Sequence, residues 1–459
     1  MKKQVQRFAV AIILLAGWLS AFLVTGHYGR SSLYLLLPVF LLGSGMGLLL
    51  KLTHIRATVL TLAITAIAAL ALLNQFFPQH TPRFSPLKTP TPESFLVSIE
   101  VPVVDQLSEF ISERFLESSA QVTIELVARL PAPARQMLIV DNRMYVTLSD
   151  LGAIYLIDQI TSARPSDRPV LYHSGLDRPF GLTAGDGRLF VAEPYQVIEL
   201  IDNNQDLQVD EERILLDGLP DDGGHWMRAL TSDSDGFLYL SIGSRCNACE
   251  EEDPRRGSIM RINPDTGAAR EFSRGLRNSI GLTIAPDTGL LWGTDISSEL
   301  QGRVPPPDEL NLISAGEHYG WPYCYGQQTP DPLLGSTQLC RDTVPAIFDL
   351  PPLCQPMGLA FGGTLMAPVE YQNSIYLLCS GNGYRLSHSG PKIIQLSYQQ
   401  GNIIGNASNF LRGWDSEWGV PIALAVSQQG DLYISDEKTQ AIYRVRWPET
   451  VQQGASQDH

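Results

Sequence analysis

A turn followed by a β-type run recurs six times after residue 140, and this repeat limits the folds open to the chain. Each copy places a turn pair before alternating apolar residues, as in Asp-Gly-Phe-Leu-Tyr-Leu at 235–240. Most copies are followed by a second apolar run, such as Ala153–Ile157 or Ala441–Val445, so each predicts a β-hairpin. The copies begin at Asp141, Asp186, Asp235, Thr288, Gln372 and Gln429.

The spacing of these hairpins predicts a six-bladed β-propeller. Asp141, Asp186 and Asp235 are 45 and 49 residues apart, which is typical of propeller repeats. The interval from Thr288 to Gln372 is longer and contains a Pro-, Gly- and Cys-rich insertion. A β-sandwich also contains many hairpins, but it does not explain the repeated turn-Leu-Tyr pattern. The predicted fold class is an all-β six-bladed propeller preceded by an N-terminal three-helix transmembrane region.

Three apolar runs at 8–26, 33–50 and 57–73 contain no Asp, Glu, Lys or Arg. Each is about long enough to cross the ~30 Å of hydrocarbon in a bilayer. Lys2, Lys3 and Arg7 precede the first run, so the positive-inside rule places the N-terminus in the cytoplasm and the propeller on the opposite side. The alternative, a cleaved signal peptide, needs only one run. We expect a multi-pass protein of the cell (inner) membrane with its propeller on the periplasmic or extracellular side.

A Pro-rich segment separates this anchor from the strand-rich region, and its five prolines between residues 78 and 92 favour an extended spacer. Within the segment that follows, Leu107–Glu117 has helical spacing and predicts a short helix. The predicted boundaries are transmembrane helices at 1–74, a linker at 75–97, a leading strand or helix at 98–121, the propeller at 122–448 and a flexible tail at 449–459.

The charge and the cysteines restrict the partners and the compartment. The formal net charge of -15 lacks the basic footprint of a nucleic-acid-binding protein, so we expect no nucleic-acid partner. All six cysteines follow the linker, which favours disulfides in an oxidising compartment. A zinc site or a thioredoxin-like centre at Cys246-x-x-Cys249 needs further ligands or a following helix that the sequence does not provide. Among the many pairings allowed, the favoured ones are Cys246–Cys249, Cys324–Cys340 and Cys354–Cys379.

His225 is the side chain that best suits catalysis. Gly223 and Gly224 precede it, so the backbone can turn the imidazole toward the channel mouth, where loops between blades converge. Oxidation of an alcohol needs a base for the hydroxyl proton, and histidine titrates near neutral pH. A structural loop histidine is the alternative interpretation.

With the motifs that follow His225, the chain resembles the glucose/sorbosone dehydrogenase family. Gly-Leu-Arg-Asn-Ser-Ile-Gly-Leu at 275–282 is similar to the family's Gly-(Leu/His)-Arg-Asn-Pro-x-Gly-Leu, and Pro-Asp-Glu-Leu-Asn at 307–311 leads to His-Tyr-Gly-Trp-Pro-Tyr at 318–323. The segments 179–182 and 356–361 match the starts of other blades, and the likeness covers about Val122–Trp447. It implies a six-bladed propeller that uses pyrroloquinoline quinone (PQQ) and Ca²⁺ to oxidise a sugar or a sugar aldehyde.

The resemblance assigns roles to single residues. His225 corresponds to the catalytic base, and Arg277 and Asn278 to the residues that contact PQQ; a salt bridge between blades is the alternative for Arg277. A Ca²⁺ ion prefers oxygen ligands, and the candidates in the loop after the Arg-Asn strand, unless they are solvated acids, are Asp295 and Glu299. Asp308 and Glu309 stand at a better-matched position, where we expect them to organise that loop or to bind an ion. Because no haem-binding Cys-x-x-Cys-His occurs, the expected electron partner is a respiratory acceptor, either a membrane quinone or a soluble carrier.

Several positions depart from the family's pattern. Leu353 and Cys379 stand where relatives carry histidines, and Val420 stands where they carry an arginine. We expect a Cys354–Cys379 disulfide to replace polar contacts there. These changes keep open a second function, a propeller without cofactor that binds carbohydrate or protein outside the cytoplasm. A metal-dependent lactonase would need a Glu-Asn-Asp cluster that the sequence does not assemble.

Overall fold

The computed structural model describes residues 95–100, 115–161, 169–298, 305–362, 367–381, 390–414 and 419–448. The three apolar runs, most of the linker, Glu299 and the tail lie outside these residues, so the expectations for them stay predictions. Within the described ranges, no helix has both the length and the apolar character needed to span a bilayer.

The regular structure of the described chain is almost entirely β-strand, and its strands pair antiparallel except for the first and the third, which pair parallel. Three strands open it, namely β1 (Phe95–Glu100), β2 (Phe115–Ser118) and β3 (Thr123–Arg129). The first four-stranded sheet consists of β4 (Gln136–Val140), β5 (Arg143–Leu148), β6 (Ala153–Asp158) and β7 (Val170–Ser174). A 3-10 turn at Ser149–Leu151 joins β5 to β6.

Three more four-stranded sheets follow in chain order. The first is β8 (Leu182–Gly185), β9 (Arg188–Ala192), β10 (Val197–Ile201) and β11 (Glu211–Leu216). The second is β12 (Leu230–Ser232), β13 (Leu238–Ile242), β14 (Ser258–Ile262) and β15 (Ala269–Arg274). The third is β16 (Leu282–Ile284), β17 (Leu291–Asp295), β18 (Asp308–Ile313) and β21 (Phe348–Leu350). The insertion before β21 holds β19 (Cys324–Tyr325), β20 (Thr329–Pro330) and α1 (Thr337–Cys340).

The remaining strands join one ten-stranded sheet through β1 and β2. One end of this sheet is β22 (Pro356–Phe361), β23 (Ser374–Cys379), β24 (Lys392–Gln399) and β25 (Asn402–Arg412), with α2 (Val369–Gln372) before β23. The other end is β26 (Pro421–Val426), β27 (Leu432–Asp436) and β28 (Ala441–Arg446), completed by β3. Each end repeats the strand order of the four-stranded sheets, and the fold is all-β and propeller-like.

The predicted turn-and-strand repeat is confirmed. In every copy the turn precedes the second strand of its sheet, giving β5, β9, β13, β17, β23 and β27. These strands are almost fully buried, as in the all-buried patterns of β13, β17 and β27. The fourth strands face solvent instead, as in the mostly exposed β11 and β15. The apolar repeat marks the second strand because that strand has a neighbouring sheet on each face.

The two ends of the propeller region meet in one sheet. β3 pairs antiparallel with β28, placing Ile124 opposite Val445 and Glu125 opposite Arg444. Arg444 is buried, and its guanidinium donates to Glu125 and to the Ile160 carbonyl oxygen. This pairing joins residues that are more than 300 positions apart in the chain.

The predicted helix at Leu107–Glu117 is wrong at its described end. Phe115–Glu117 lie in β2, which pairs with β1 and also with β25. The Arg412 guanidinium binds Glu117 across that second pairing, at 2.5 Å. Pairing on both sides satisfies backbone groups that a helical turn would satisfy locally, so tertiary contacts override the helical spacing. β1 also begins at Phe95, three residues before the predicted start of the leading segment.

The loops that carry the candidate residues emerge at one edge of the sheets. Because antiparallel strands alternate in direction, the loop from the second to the third strand lies at the same edge as the loop that enters the sheet. The relevant loops are 217–229 before β12, 243–257 after β13, 275–281 before β16 and, after β17, the described residues 296–298 and 305–307. Sequence positions 70 residues apart are thereby brought together.

Candidate active site

The loop that carries His225 is fixed by two arginines. Arg228 is fully buried, and its guanidinium donates to the carbonyl oxygens of Pro194, Pro220 and His225 at 3.1, 2.6 and 2.8 Å. Arg256 donates to the main chain and the carboxylate of Asp222. Charge-assisted bonds to main-chain oxygens hold an irregular loop in one conformation.

The hydrogen bonds of His225 define its tautomer. Its Nδ1 lies 2.8 Å from the Ser244 carbonyl oxygen and 2.9 Å from the Ser244 hydroxyl. A carbonyl oxygen only accepts, so Nδ1 carries the hydrogen and donates. Nε2 therefore keeps the lone pair, which is the arrangement that a proton-accepting imidazole requires.

The electrostatic surroundings keep this imidazole neutral. Burial lowers the pKa of His225 to about 4, with the charge of Arg277 as the next cause and those of Arg228 and Arg256 adding to it. The contact with Ser244 opposes part of this decrease. His225 is consequently an unprotonated base at neutral pH and lies in a field of positive charge.

Gly243 is the point at which His225 and Asn278 meet. A Cβ atom at this position would lie 2.6 Å from the His225 Cβ and 2.9 Å from the Asn278 Oδ1. Only a glycine lets the two side chains approach the strand end so closely. The structure thus brings together two of the residues predicted to act on substrate and cofactor, although 53 positions separate them in the chain.

Arg277 is held by the neighbouring loops. Its Nε donates to the Asn247 carbonyl oxygen, one terminal nitrogen donates to the Asn247 Oδ1, and the other donates to the Ile296 carbonyl oxygen, each at 2.9 Å. Arg277 is 5% exposed and Asn278 is 4% exposed. The guanidinium is therefore fixed in orientation before any ligand arrives, and it brings a positive charge to the site.

Asp295, predicted as a metal ligand, binds the main chain of Arg277 and Asn278. Its two carboxylate oxygens each accept a backbone N–H, from Arg277 and from Asn278, at 2.7 Å. The Ser279 hydroxyl donates to the same carboxylate at 3.1 Å. Burial raises the pKa of Asp295, and these donors and the Arg277 charge oppose the increase. The side chain organises the loop, and its role as a metal ligand stays a prediction.

Asp308 has a similar place one strand away. Its carboxylate accepts the backbone N–H groups of Ser297 and Gln355 at 2.9 and 2.8 Å, which joins the loop after β17 to the loop before β22. Burial raises the pKa of Asp308 to about 7. Its predicted metal role is untested by these contacts. Glu299, the third predicted ligand, lies outside the described residues.

A small cavity opens between these loops and the insertion. It has a volume of about 20 Å³, enough for one water molecule or one cation. Carboxylates, hydroxyls and the Arg277 side chain surround it, together with the ring of Trp321. The oxygen-bearing residues that line it are Asp295, Ser297, Ser298, Glu309, Tyr319, Tyr325 and Asp331.

Glu309 is a buried carboxylate on the wall of the cavity. Its carboxylate accepts the Gly326 N–H at 2.5 Å and the Asn311 amide at 3.0 Å. Burial and the charge of Asp295 raise its pKa. The Asn311 Oδ1 has no hydrogen-bond partner within the described ranges. The carboxylates that line the cavity are the type of oxygen ligand that a hard cation such as Ca²⁺ prefers.

All three favoured disulfides are confirmed. Cys246–Cys249, Cys324–Cys340 and Cys354–Cys379 are each bonded. The first lies in the loop that holds Arg277, the second closes the insertion beside the cavity, and the third fastens the loop before β22 to the end of β23. Cys354 and Cys379 are fully buried, so this bond occupies the place where polar side chains are expected.

Residues 192–376 match the family model described as Glucose / Sorbosone dehydrogenase. The matched segment contains His225, Arg277, Asn278, Asp295 and Asp308, in the order that the resemblance predicts. The family resemblance is confirmed. The match is shorter than the predicted likeness over Val122–Trp447, since it omits the first and the last strands of the propeller-like region.

A sequence relative and two solved structures extend this result. An uncharacterized protein of Borreliella burgdorferi is 28% identical over 215 residues, 45% of this chain and 56% of that protein. The chain spans about half the length of the curated relatives it matches. The calcium structure of a Trichoderma reesei family AA12 enzyme covers 72% of this chain and 96% of its own, with 17% identity and a TM-score of 0.64.

The second structure is the holo form of the pyranose dehydrogenase PQQ domain from Coprinopsis cinerea. It covers 77% of this chain and all of its own, with 14% identity and a TM-score of 0.62. At these identities the two solved structures establish the shared fold. Together with the family match, they describe this chain as a sugar dehydrogenase-like propeller.

Sequence reasoning missed the residues that hold the site in place. Arg228 and Arg256 donate to main-chain oxygens, and Asn247 accepts from Arg277 within an irregular loop. No short sequence motif marks these three residues. Asp331 was also missed as a lining residue of the cavity. The only signal for it was the Pro330-Asp331-Pro332 turn within the insertion, which reads equally well as an ordinary loop.

Proposed function

We propose that this protein is a sugar or sugar-aldehyde dehydrogenase of the glucose/sorbosone type, with PQQ as its hydride acceptor. The meeting of His225 and Asn278 at Gly243, with the fixed Arg277 guanidinium beside them, carries the proposal. The family match includes all three residues. The substrate class and the cofactor are inferred from this site and from the resemblance.

The charges around the site fit an acidic cofactor. His225 experiences the positive charges of Arg277, Arg228 and Arg256, and PQQ carries three carboxylates. A guanidinium pairs well with a carboxylate, so Arg277 would hold the cofactor, with the Asn278 amide as a further polar contact. When bound, PQQ would supply the two-electron acceptor that the chain's own side chains lack.

The protein's part in the reaction is proton removal and orientation. Ser244 fixes the His225 ring by accepting from Nδ1, which leaves Nε2 to take the hydroxyl proton of an alcohol substrate. A bound acid near Arg277 offsets part of its charge and raises the pKa of His225, so the imidazole becomes a stronger base in the complex.

The oxygen-lined cavity is the proposed Ca²⁺ site. Glu309 and Asp331 face it from β18 and from the insertion, and Asp295 faces it from β17. Carboxylate oxygens are the ligands that a hard divalent cation prefers. The three carboxylates do not form a cluster within 4.8 Å, so a bound ion would have to draw them closer together. This assignment uses Asp295 and Glu309, which the sequence already indicated, and adds Asp331 to them.

We further propose that the propeller has six blades and is anchored outside the cytoplasm. The blade count is supported by the two four-stranded runs in the ten-stranded sheet, which repeat the order of the four separate sheets. The anchor is supported by the apolar runs within residues 1–74, and the compartment by three disulfides. A respiratory electron acceptor would then receive the electrons at the membrane.

A binding module without cofactor is the second candidate. The observation that favours it is the Cys354–Cys379 disulfide, which with Leu353 gives an apolar face where the family carries histidines. Such a propeller would keep the loops that form the binding surface but would have no dehydrogenase activity. The two functions differ in one measurable property, the binding of PQQ.

The test uses the full-length chain in detergent with PQQ and Ca²⁺. We expect absorbance changes on PQQ binding and dye reduction with aldoses or sugar aldehydes. His225→Ala should lower kcat by about 10²–10⁴-fold while PQQ still binds, because it removes the base alone. His173→Ala is the matched control, since His173 lies on β7 and contacts Glu212. Absence of PQQ binding at saturating Ca²⁺ would replace the dehydrogenase by the binding module.

A further inference from the structure

One irregular loop contacts both the imidazole and the guanidinium of the candidate site. This loop, residues 243–257, connects β13 to β14 and contains the Cys246–Cys249 disulfide. Ser244 at its start accepts from His225, and Asn247 near its middle accepts from Arg277. The loop therefore determines how the two side chains are placed relative to each other.

Asn247 is the principal partner of the Arg277 guanidinium. It receives two of the three bonds described for that group, one at its carbonyl oxygen and one at its Oδ1, both at 2.9 Å. The two acceptors lie on the same residue and match two adjacent nitrogens of the planar guanidinium, so they fix its tilt as well as its position. The Trp321 Nε1 also lies 3.5 Å from the same carbonyl oxygen.

The disulfide restricts the conformation of Asn247. Cys246 and Cys249 are bonded across two residues, so Asn247 belongs to a small covalent ring. The Ser244 hydroxyl donates to the Cys246 carbonyl oxygen at 2.8 Å, which joins this ring to the His225 contact. Beyond the ring, the Tyr323 hydroxyl binds Glu250 at 2.8 Å. A 15-residue stretch without strands is thus tied down where it meets Arg277.

We infer that Asn247, constrained by the Cys246–Cys249 ring, is the positioning residue that presents the Arg277 guanidinium to an acidic cofactor. The inference rests on the proposed function and deepens it. The disulfide then acts by shaping the loop, and it takes no part in electron transfer. Asn247 acts through Arg277 and has no contact with the reacting atoms.

The first test compares the wild-type chain with Asn247→Ala and with Cys246→Ser/Cys249→Ser. In both variants we expect faster amide exchange in residues 275–280 of the cofactor-free protein and about tenfold weaker PQQ binding, because bonds to a charged group are lost. The double variant should have the larger effect, since it also releases the Asn247 carbonyl oxygen. Asn402→Ala, an exposed Asn at the start of β25, should change neither quantity.

A spectroscopic readout separates positioning from general loosening. When Arg277 moves away, the pKa of His225 should rise toward its ordinary value, as followed by the imidazole NMR signal in cofactor-free protein labelled at histidine. Asn247→Asp is the conservative variant. Its carboxylate still accepts from Arg277, so the exchange of residues 275–280 should stay as in the wild type, while the added negative charge still raises the pKa of His225.

The outcomes separate this inference from the proposed function. Unchanged exchange and an unchanged His225 titration in Asn247→Ala would overturn the positioning role, whether or not PQQ binds. Changed exchange and titration in Asn247→Ala, together with a wild-type protein that fails to bind PQQ, would overturn the cofactor assignment and retain the contact. A loss of folding in the double variant is recognised from its urea unfolding curve, and the single Asn247 variants then decide.

Discussion

Asp295 and Cys379 occupy equivalent positions in two neighbouring sheets and do the same task by different chemistry. Each is the last residue of its second strand, six positions after the turn residue Gly289 or Asn373. Asp295 accepts the backbone N–H groups of Arg277 and Asn278, in the loop that enters its sheet. Cys379 is bonded to Cys354, in the loop that enters the next sheet.

Two other sheets use an acid at the same position. Glu193 follows the turn at Gly187 by six residues and accepts the N–H of Asp177, in the loop that enters its sheet. Asp436 follows Gly430 by six residues and accepts the N–H groups of Lys438 and Thr439, in the loop that follows β27. In three of the sheets this position therefore fastens the loop that enters the sheet. In β5 and β13 the same position is Leu148 and Ile242.

The Asp295 carboxylate fastens its loop through buried polar groups, whereas the Cys354–Cys379 disulfide fastens the next loop through a buried covalent bond. The candidate site lies beside the Asp295 carboxylate. Beside the Cys354–Cys379 disulfide, the chain lacks the polar side chains that the family resemblance leads us to expect.

The largest effect on the free energy of unfolding should come from removing the Cys354–Cys379 disulfide. Cys354→Ala/Cys379→Ala should lower the free energy of unfolding by about 3.5 kcal/mol, the loop-closure value for a separation of 25 residues. The corresponding change in the ring at Cys246 and Cys249, separated by 3 residues, should cost about 1.6 kcal/mol. Urea unfolding followed by tryptophan fluorescence measures both. Equal losses would show that Cys354–Cys379 does no more for stability than the small ring.

Asp295→Asn should come next, at about 2–3 kcal/mol, because the new amide group must face a backbone N–H that previously met a carboxylate oxygen. Amide exchange at Arg277 and Asn278 should increase in parallel. Asp436→Asn is the matched control. The Asp436 Oδ2 has no partner among the described residues, so an amide nitrogen fits there and the loss should stay below about 1 kcal/mol. Losses of similar size in the two variants would contradict this account of Asp295.

The smallest effect concerns the acids beside the fastening point. Burial raises the pKa of Asp308 to about 7 and also raises that of Glu309, so the folded state binds these protons more tightly than the unfolded state. Their contribution to stability is complete below about pH 4 and is lost as the pH rises through 7. A bound cation would compensate the charges that appear.

We therefore expect Ca²⁺ to stabilise chelator-treated protein at pH 8 by about 1 kcal/mol, or roughly 2 °C in Tm, and to have less effect at pH 5. The measurement is thermal unfolding with and without Ca²⁺. Glu309→Gln should abolish the increase at pH 8, because it removes one of the proposed ligands. An increase that is equal at both pH values, or that survives in Glu309→Gln, would place the cation elsewhere.

The hairpin repeat and the order of motifs were predictable because both depend on residues that are close together in the sequence. A turn pair followed by alternating apolar residues specifies a hairpin wherever it occurs, and His225, Arg277 and Asn278 each stand beside glycines that mark a loop. The helix at Leu107–Glu117 failed at its described end for the opposite reason. The helical spacing is a local pattern, but residues 115–117 pair with β1 and β25, and β25 lies almost 300 residues away in the chain.

By itself, the sequence determined the β-hairpin repeat, the family resemblance and the set of favoured cysteine pairs. Only the tertiary structure decided what surrounds each of those residues. It closed the ends by pairing β3 with β28, set Asn247 against Arg277 and turned Asp295 into the support of a loop. The physical reason is that these contacts join distant parts of the chain largely through main-chain groups, and a main-chain N–H or carbonyl has no sequence signature.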